Sequence, residues 1–269
     1  MATIGFHASH EQIHPAQLLA DVQHAEAAGF QAAMCSDHFS PWSERQGHSG
    51  YAWSWLGAAL ATTSLPIGVV TAPGQRYHPA IAAQKIGTLA AMFSGRFWAA
   101  LGSGQNLNEH ITGEGWPRKE LRQQRLRECA DIIRRLLDGE LVSHQGLVTV
   151  DRARLWTLPD VPPKLLAPAV SPGTAGEAAE WADGVITINQ HFDLVSAEVS
   201  PETLESSVYV SNSCAEHAER LHELVELGFD EIYLHHVGQE QRAFLDRFGA
   251  DVLPQLRTAG QPAAESAAG

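Results

Sequence analysis

His38 stands in the run Ser36-Asp37-His38-Phe39-Ser40-Pro41-Trp42, directly after the apolar stretch Phe30–Cys35. An imidazole exchanges protons near neutral pH, a neighbouring carboxylate tunes it or binds a ligand, and an indole stacks on planar rings. Together these residue types describe acid-base chemistry beside a flat aromatic group. The alternative from the same residues is a structural histidine at a strand end.

Three further loops carry hydrogen-bonding groups. Gly102-Ser103-Gly104-Gln105, with Asn108 and Glu109, follows the run Arg96–Leu101; exposed amides there either cradle a phosphate or form an ordinary turn. Val69-Val70-Thr71-Ala72-Pro73-Gly74 leads β-branched residues into a Pro-Gly turn. Val170-Ser171-Pro172-Gly173-Thr174 places two hydroxyls at a helix start, where Ser171 can cap the helix, contact a phosphate or ribityl chain, or do both. The histidines number 14, but neither His7, His10 and His14 nor the adjacent His235-His236 have the spacing of a helical zinc site. No metal centre is expected.

Loops of this kind need strands ahead of them and helices behind them, and the chain alternates the two. Ile4–Ala8 reads as a first strand, followed by a helix with Leu18, Leu19, Val22 and Ala25 on one face and a stop at Gly29. Phe30–Cys35 is the second strand, with a helix over Ser54–Thr62; Ile67–Thr71 is the third, with a helix over His78–Met92. Arg96–Leu101 is the fourth, and Leu126, Cys129, Ile132, Ile133, Leu136 and Leu137 mark a helix ending at Gly139. A hairpin over Leu141–Leu158 turns at Gln145-Gly146, before a fifth strand over Leu165–Val170, a helix over Thr174–Ala182 and a sixth strand over Val185–Ile188. From His191 to Ser211 the alternation falters, with Val208-Tyr209-Val210 as a short strand. It resumes with a helix over Ala215–Leu227, a strand over Glu231–His235 and a helix over Glu240–Phe248.

This succession predicts an α/β TIM barrel in a single domain, residues 1–257, with one strand-helix unit missing or replaced near Val208. Residues 258–269 are expected to be a disordered tail. An open doubly wound sheet competes, but its dinucleotide fingerprint needs a third Gly where Leu107 stands. A formal charge of −13 opposes phosphate backbones, so nucleic acid is not an expected partner. No apolar run reaches the roughly 18 residues of a membrane span, and Met1-Ala2-Thr3-Ile4 leads straight into a strand, so a cytoplasmic protein is expected. Cys35, Cys129 and Cys214 are odd in number and widely spaced, which predicts buried reduced thiols.

The motifs resemble the bacterial luciferase-like class of flavin and deazaflavin oxidoreductases, near the branch of F420-dependent glucose-6-phosphate dehydrogenases. Ser-Asp-His-Phe-x-Pro-Trp at 36–42, Arg76-Tyr77-x-Pro79-Ala80, Gly102-x-Gly104-x-x-Leu107-Asn108-Glu109 and Tyr233-Leu234-His235 carry the resemblance. It spans about residues 3–190 and 200–257. The resemblance implies a cofactor across the barrel mouth, with Asp37, Val69, Val70 and Ala72 beside its ring and a non-proline cis peptide at that bulge. Ser103, Gly104, Asn108, Val170, Ser171, Gly173 and Thr174 would hold its ribityl and phosphate portion. His38 would be the acid, Trp42 its ring partner, and Glu11 and Gln105 would face the substrate.

Two departures from the resemblance matter. Gln105 stands where the sugar-phosphate dehydrogenases carry a catalytic Glu, and an amide accepts no proton; His191 and Ser206 replace cationic ligands, so glucose 6-phosphate is not the expected substrate. Relatives also carry a longer segment between the positions of Gln190 and Pro201. His7-Ala8-Ser9-His10-Glu11-Gln12 together with Gly68–Tyr77 is most similar to a sister group that uses FMN. The expectation is therefore hydride transfer or oxygen activation by reduced FMN on a small organic substrate, in a homodimer served by a flavin reductase. The alternatives are an F420-dependent dehydrogenase and a non-catalytic cofactor-binding relative.

Overall fold

Side chains alternate across a strand, and in the computed structural model, which describes residues 2–188 and 211–258, that alternation sorts the chain into two cores. The parallel strands are β1 (Thr3–Ala8), β2 (Ala32–Ser36), β3 (Ile67–Thr71), β4 (Phe97–Leu101), β7 (Leu165–Pro168), β8 (Gly184–Ile186) and β9 (Glu231–Leu234). An antiparallel hairpin, β5 (Val142–Gln145) and β6 (Thr149–Ala153), stands apart. Ile4, Phe6, Ala33, Cys35, Ile67, Val69, Phe97, Ala99 and Leu101 face the helices and build the larger core. Met34, Trp98 and Ala100 face the other way and meet Val70, Leu166, Ile186 and Tyr233 on the inner side of the sheet.

Among the described residues the sheet order is β8-β7-β4-β3-β2-β1-β9, seven strands and all parallel. That is the order of a TIM barrel lacking one strand, and among the described residues β8 and β9 are its edges. The short strand expected near Val208 lies outside the described residues. Two glycines make the interior possible. Gly5 is the register partner of Tyr233, and a Cβ there would stand 2.4 Å from the Tyr233 ring. Gly68 is the partner of Trp98, and its Cβ would fall 1.9 Å from the indole.

Helices α1 (Pro15–Ala28), α2 (Ala52–Thr62), α3 (Pro79–Met92) and α5 (Lys119–Leu137) cover the outer face, with the single turn α4 (Asn106–Glu109) between β4 and α5. Helices α1 and α3 start alike: His14 Nδ1 accepts from Ala16 N at 3.3 Å and His78 Nδ1 from Ala80 N at 3.2 Å, with Pro15 and Pro79 in the first turn. Helix α5 begins at Lys119, two turns before the apolar period starts at Leu126, because its first turns are polar and leave no periodic signal. Among the described residues the remaining helices are α6 (Pro172–Ala178), α7 (Cys214–Glu226), α8 (Gln241–Arg247) and α9 (Leu253–Thr258). A π-helical turn over Phe248–Val252 joins the last two, so helix continues beyond the expected end at Phe248. Cys35 and Cys129 are buried as expected, whereas Cys214 opens α7 and is partly exposed.

Candidate active site

The residues after β2 continue its ladder: Asp37 N donates to Val70 O at 2.9 Å. The Asp37 carboxylate is buried and fully engaged. Oδ2 accepts from Trp53 Nε1 and Thr71 Oγ1, each at 2.8 Å, and Oδ1 accepts from Tyr77 OH at 3.1 Å. Arg76 adds an ion pair at 3.5 Å and donates through Nη2 to Asp37 O at 2.7 Å. The same arginine donates its backbone N–H to Glu109 Oε2 at 2.8 Å. Burial raises the Glu109 carboxyl above its ordinary range, and Arg76 opposes that. Behind them Lys85 lies over the Tyr77 and Trp53 rings, and burial lowers its ammonium to about 7. Removing one partner from such a buried charge network costs about 3–5 kcal/mol.

Asn108 fixes the next stretch. Its Oδ1 accepts from Phe39 N at 2.9 Å and Ser40 N at 3.1 Å, and its Nδ2 donates to Gln105 Oε1 at 3.3 Å. Ser49 Oγ donates to His38 O, and Gln46 Oε1 accepts from Trp42 N, both at 2.8 Å. The segment bearing His38 and Trp42 is thus clamped from several sides.

His38 is presented by that clamp to Glu11. His38 Nδ1 lies 2.7 Å from Glu11 Oε1, although the ring N–H is not aimed along the contact. Glu11 also accepts from Ser36 Oγ at 2.5 Å and Ser9 Oγ at 2.7 Å. Burial pushes this carboxyl upward, but His38 and the two hydroxyls outweigh it and hold Glu11 well below the usual carboxylate range. The Trp42 ring meets His38 edge-on at 5.1 Å. With Nδ1 turned to the Glu11 carboxylate, Nε2 is the ring nitrogen left to face a ligand.

A cleft runs along the inner side of the sheet, and Glu11, His38, Trp42, Val70, Gln105 and Val170 line it. The other residues singled out by resemblance stand elsewhere. Asp37 and Asn108 are buried behind the wall, with their polar side-chain atoms on protein partners. Val69 is 0% exposed in the helix-side core, because its neighbour Val70 takes the inner position. Ser103 and Gly104 form the turn after β4, where Gly104 has φ +82°. Ser171 caps α6, its Oγ accepting from Thr174 N at 3.3 Å; Ser171 and Gly173 remain exposed. Ala72 leads into a turn in which Gly74 N donates to Tyr77 O at 2.8 Å. The cis peptide expected there is corrected: the described residues contain none.

Residue type alone missed several members of the site. Ser9 and Ser36 hold Glu11, Arg76 and Tyr77 hold Asp37, and His7 and His235 line the cleft. Strand alternation offered a signal for the histidines, since His7 shares a face with Gly5 two positions earlier and His235 with Tyr233. The residues present fit a flat ring with a phosphate-bearing chain: Trp42, Val70 and Val170 give apolar walls, His38 and Gln105 give polar edges, and the exposed start of α6 gives hydroxyls. No helix among the described residues is long and apolar enough to cross a membrane.

A family model described as luciferase-like monooxygenase matches residues 1–207. The chain is 30% identical to an F420-dependent glucose-6-phosphate dehydrogenase of Beutenbergia cavernae, covering 96% of this chain and 98% of the relative. That alignment runs over 330 positions, more than the 269 residues of the chain, so the relative carries segments that this chain lacks. An F420-dependent hydroxymycolic acid dehydrogenase of Mycobacterium tuberculosis is 37% identical, over 68% of this chain and 52% of the relative. Among solved structures, an F420-dependent secondary alcohol dehydrogenase in complex with an F420-acetone adduct superposes with TM-score 0.88 and 26% identity, covering 95% of this chain and 99% of the other.

Proposed function

The chain belongs to the luciferase-like monooxygenase family of oxidoreductases, and from that premise we propose that it is an F420-dependent dehydrogenase acting on a small organic molecule. The relatives named above are F420-dependent, which favours the deazaflavin over the FMN suggested by the stretch Gly68–Tyr77. The observation that carries the reading is the Glu11–His38 pair opening onto the cleft. When bound, the deazaflavin supplies a two-electron hydride acceptor or donor that reacts slowly with dioxygen.

The protein's part is to place and move a proton. Glu11, held ionised by its three partners, orients His38 through the contact at its Nδ1. His38 Nε2 takes the proton from a substrate hydroxyl on oxidation, or returns it to a carbonyl oxygen on reduction. Gln105, an amide, leaves that task to His38. Trp42, Val70 and Val170 wall the ring, while Ser103, Gly104, Ser171, Gly173 and Thr174 hold the phosphate-bearing chain. Buried free thiols at Cys35 and Cys129 support a reducing, cytoplasmic setting.

The test is a titration of the purified protein with F420 and, separately, with FMN, followed by ligand fluorescence and the visible spectrum. Saturable binding of F420 at micromolar concentration, tighter than that of FMN, is expected. Preference for FMN would replace this reading with that of a reduced-flavin oxygenase served by a flavin reductase. Binding of neither would leave a non-catalytic barrel.

A further inference from the structure

The cleft holds a second pair of imidazoles that the proton transfer above does not use. His7 projects from β1 onto the inner side, and His235 follows directly on β9, the strand paired with β1. Their ring centroids are 4.5 Å apart with the planes tilted by 59°. His235 is anchored: its Nε2 lies 3.3 Å from Gln12 Oε1, and Gln12 Nε2 donates to His236 O at 2.8 Å and Gly238 O at 3.1 Å. His7 is not. Its Nε2 is a buried nitrogen with no hydrogen-bond partner among the described residues, in a side chain that lines the same cleft as Glu11 and His38.

An unpaired buried nitrogen is unfavourable, and a ligand atom that bonds it removes the deficit. What kind of atom follows from the surroundings. Burial first, and then the neighbouring His235, lower His7 to about 3, so the ring is neutral and offers one donor or acceptor without charge. Glu11 beside it is anionic and repels phosphate and carboxylate groups. Deeper in the barrel, Met34, Trp98 and Ala100, packed by Leu166 and Tyr233, make an apolar floor.

We propose that His7 Nε2, steadied by the His235 ring, receives the oxygen of an uncharged alcohol or ketone with an apolar body, and so sets the substrate class. The inference rests on the cleft being the cofactor and substrate site. It assigns His7 a selecting role distinct from the acid-base role of His38.

Full-length protein labelled with 15N-histidine tests it by side-chain NMR. The protein is saturated with F420, and cyclohexanone or glucose 6-phosphate is then added. His7→Phe identifies the His7 resonance by its loss, and F420 affinity is followed separately by fluorescence. Cyclohexanone should shift the His7 Nε2 signal, and glucose 6-phosphate should leave it in place. His7→Phe should weaken cyclohexanone binding about tenfold, the effect of one lost hydrogen bond to a buried group, while F420 affinity changes less than about twofold. His7→Gln, which keeps a terminal donor and acceptor, should recover part of the loss. If His7→Phe fails to fold, His7→Gln identifies the resonance in the same way, and the wild-type titration with cyclohexanone decides. A His7 signal moved by F420 and not further by cyclohexanone would make His7 a cofactor contact and overturn the proposal. So would equal binding of glucose 6-phosphate, or cyclohexanone binding indifferent to His7→Phe. Failure to bind F420 or FMN at all would overturn the underlying reading and this inference with it, and the fluorescence titration shows that case separately.

Discussion

His10 makes the stability of this protein depend on pH in a calculable way. The residue is 0% exposed, both ring nitrogens lack hydrogen-bond partners among the described residues, and its ring meets Trp55 edge-on at 5.0 Å. Burial, opposed by Glu11 and Asp37, lowers it from 6.5 to about 4. The unfolded chain therefore takes a proton at this histidine between those values while the folded chain does not. The contribution to stability is fully present above the unfolded value of 6.5 and is lost as pH falls toward the folded value of about 4. The slope is about 1.4 kcal/mol per pH unit, so about 2 kcal/mol should disappear by pH 5. His10→Phe keeps an aromatic ring against Trp55 and removes the titration. Urea denaturation of both proteins from pH 7.5 to 4.5 isolates the effect, because every other titrating group, His7 included, is common to both. The stability of the wild type minus that of His10→Phe should fall by about 2 kcal/mol between neutral pH and pH 5. A difference that stays constant with pH would refute the reasoning.

Three other outcomes follow from the same geometry. His38→Ala should abolish F420 reduction by a substrate alcohol while F420 affinity, read by fluorescence, holds within about twofold; unchanged turnover removes the acid-base role. Asn108→Ala frees the Phe39 and Ser40 amides, so kcat should drop more than stability, which loses about 1–2 kcal/mol in urea melts; a stability loss with normal kcat would show that the clamp does not position His38. Across α2 and α3 the one charged residue is Lys85, folded onto Tyr77 and Trp53, while Ile81 and Met92 are exposed. We therefore expect a homodimer through these helices by light scattering, and Gly57→Glu, whose Cβ meets nothing within 4 Å in the protomer, should yield folded monomer.

Elements with a strong period were legible in the sequence: α1, α3 and the apolar half of α5 stand where their spacing predicts, and the strands of the first four units are shifted by at most two residues. Partners were not legible. Asp37 and Asn108 have the residue types of ligand contacts, but their bonds run to Thr71, Tyr77, Phe39 and Ser40, contacts that only tertiary structure creates. Val69 and Val70 are alike by type, and only strand phase separates the residue in the core from the one in the cleft. Spacing along the chain relates His7 only to His10 and His14, whereas its near neighbour His235 comes from the far end of the sequence.

The two glycine-aromatic rungs, Gly5 with Tyr233 and Gly68 with Trp98, bear on how the interior can be reshaped. Each rung divides a fixed volume between adjacent strands, all of it to one side. Enlarging either glycine first creates a collision, and shrinking either aromatic first opens a hole. A wider or differently shaped substrate chamber is therefore reached by exchanging both members of a rung together. Libraries that vary single lining positions would sample mostly collisions and holes.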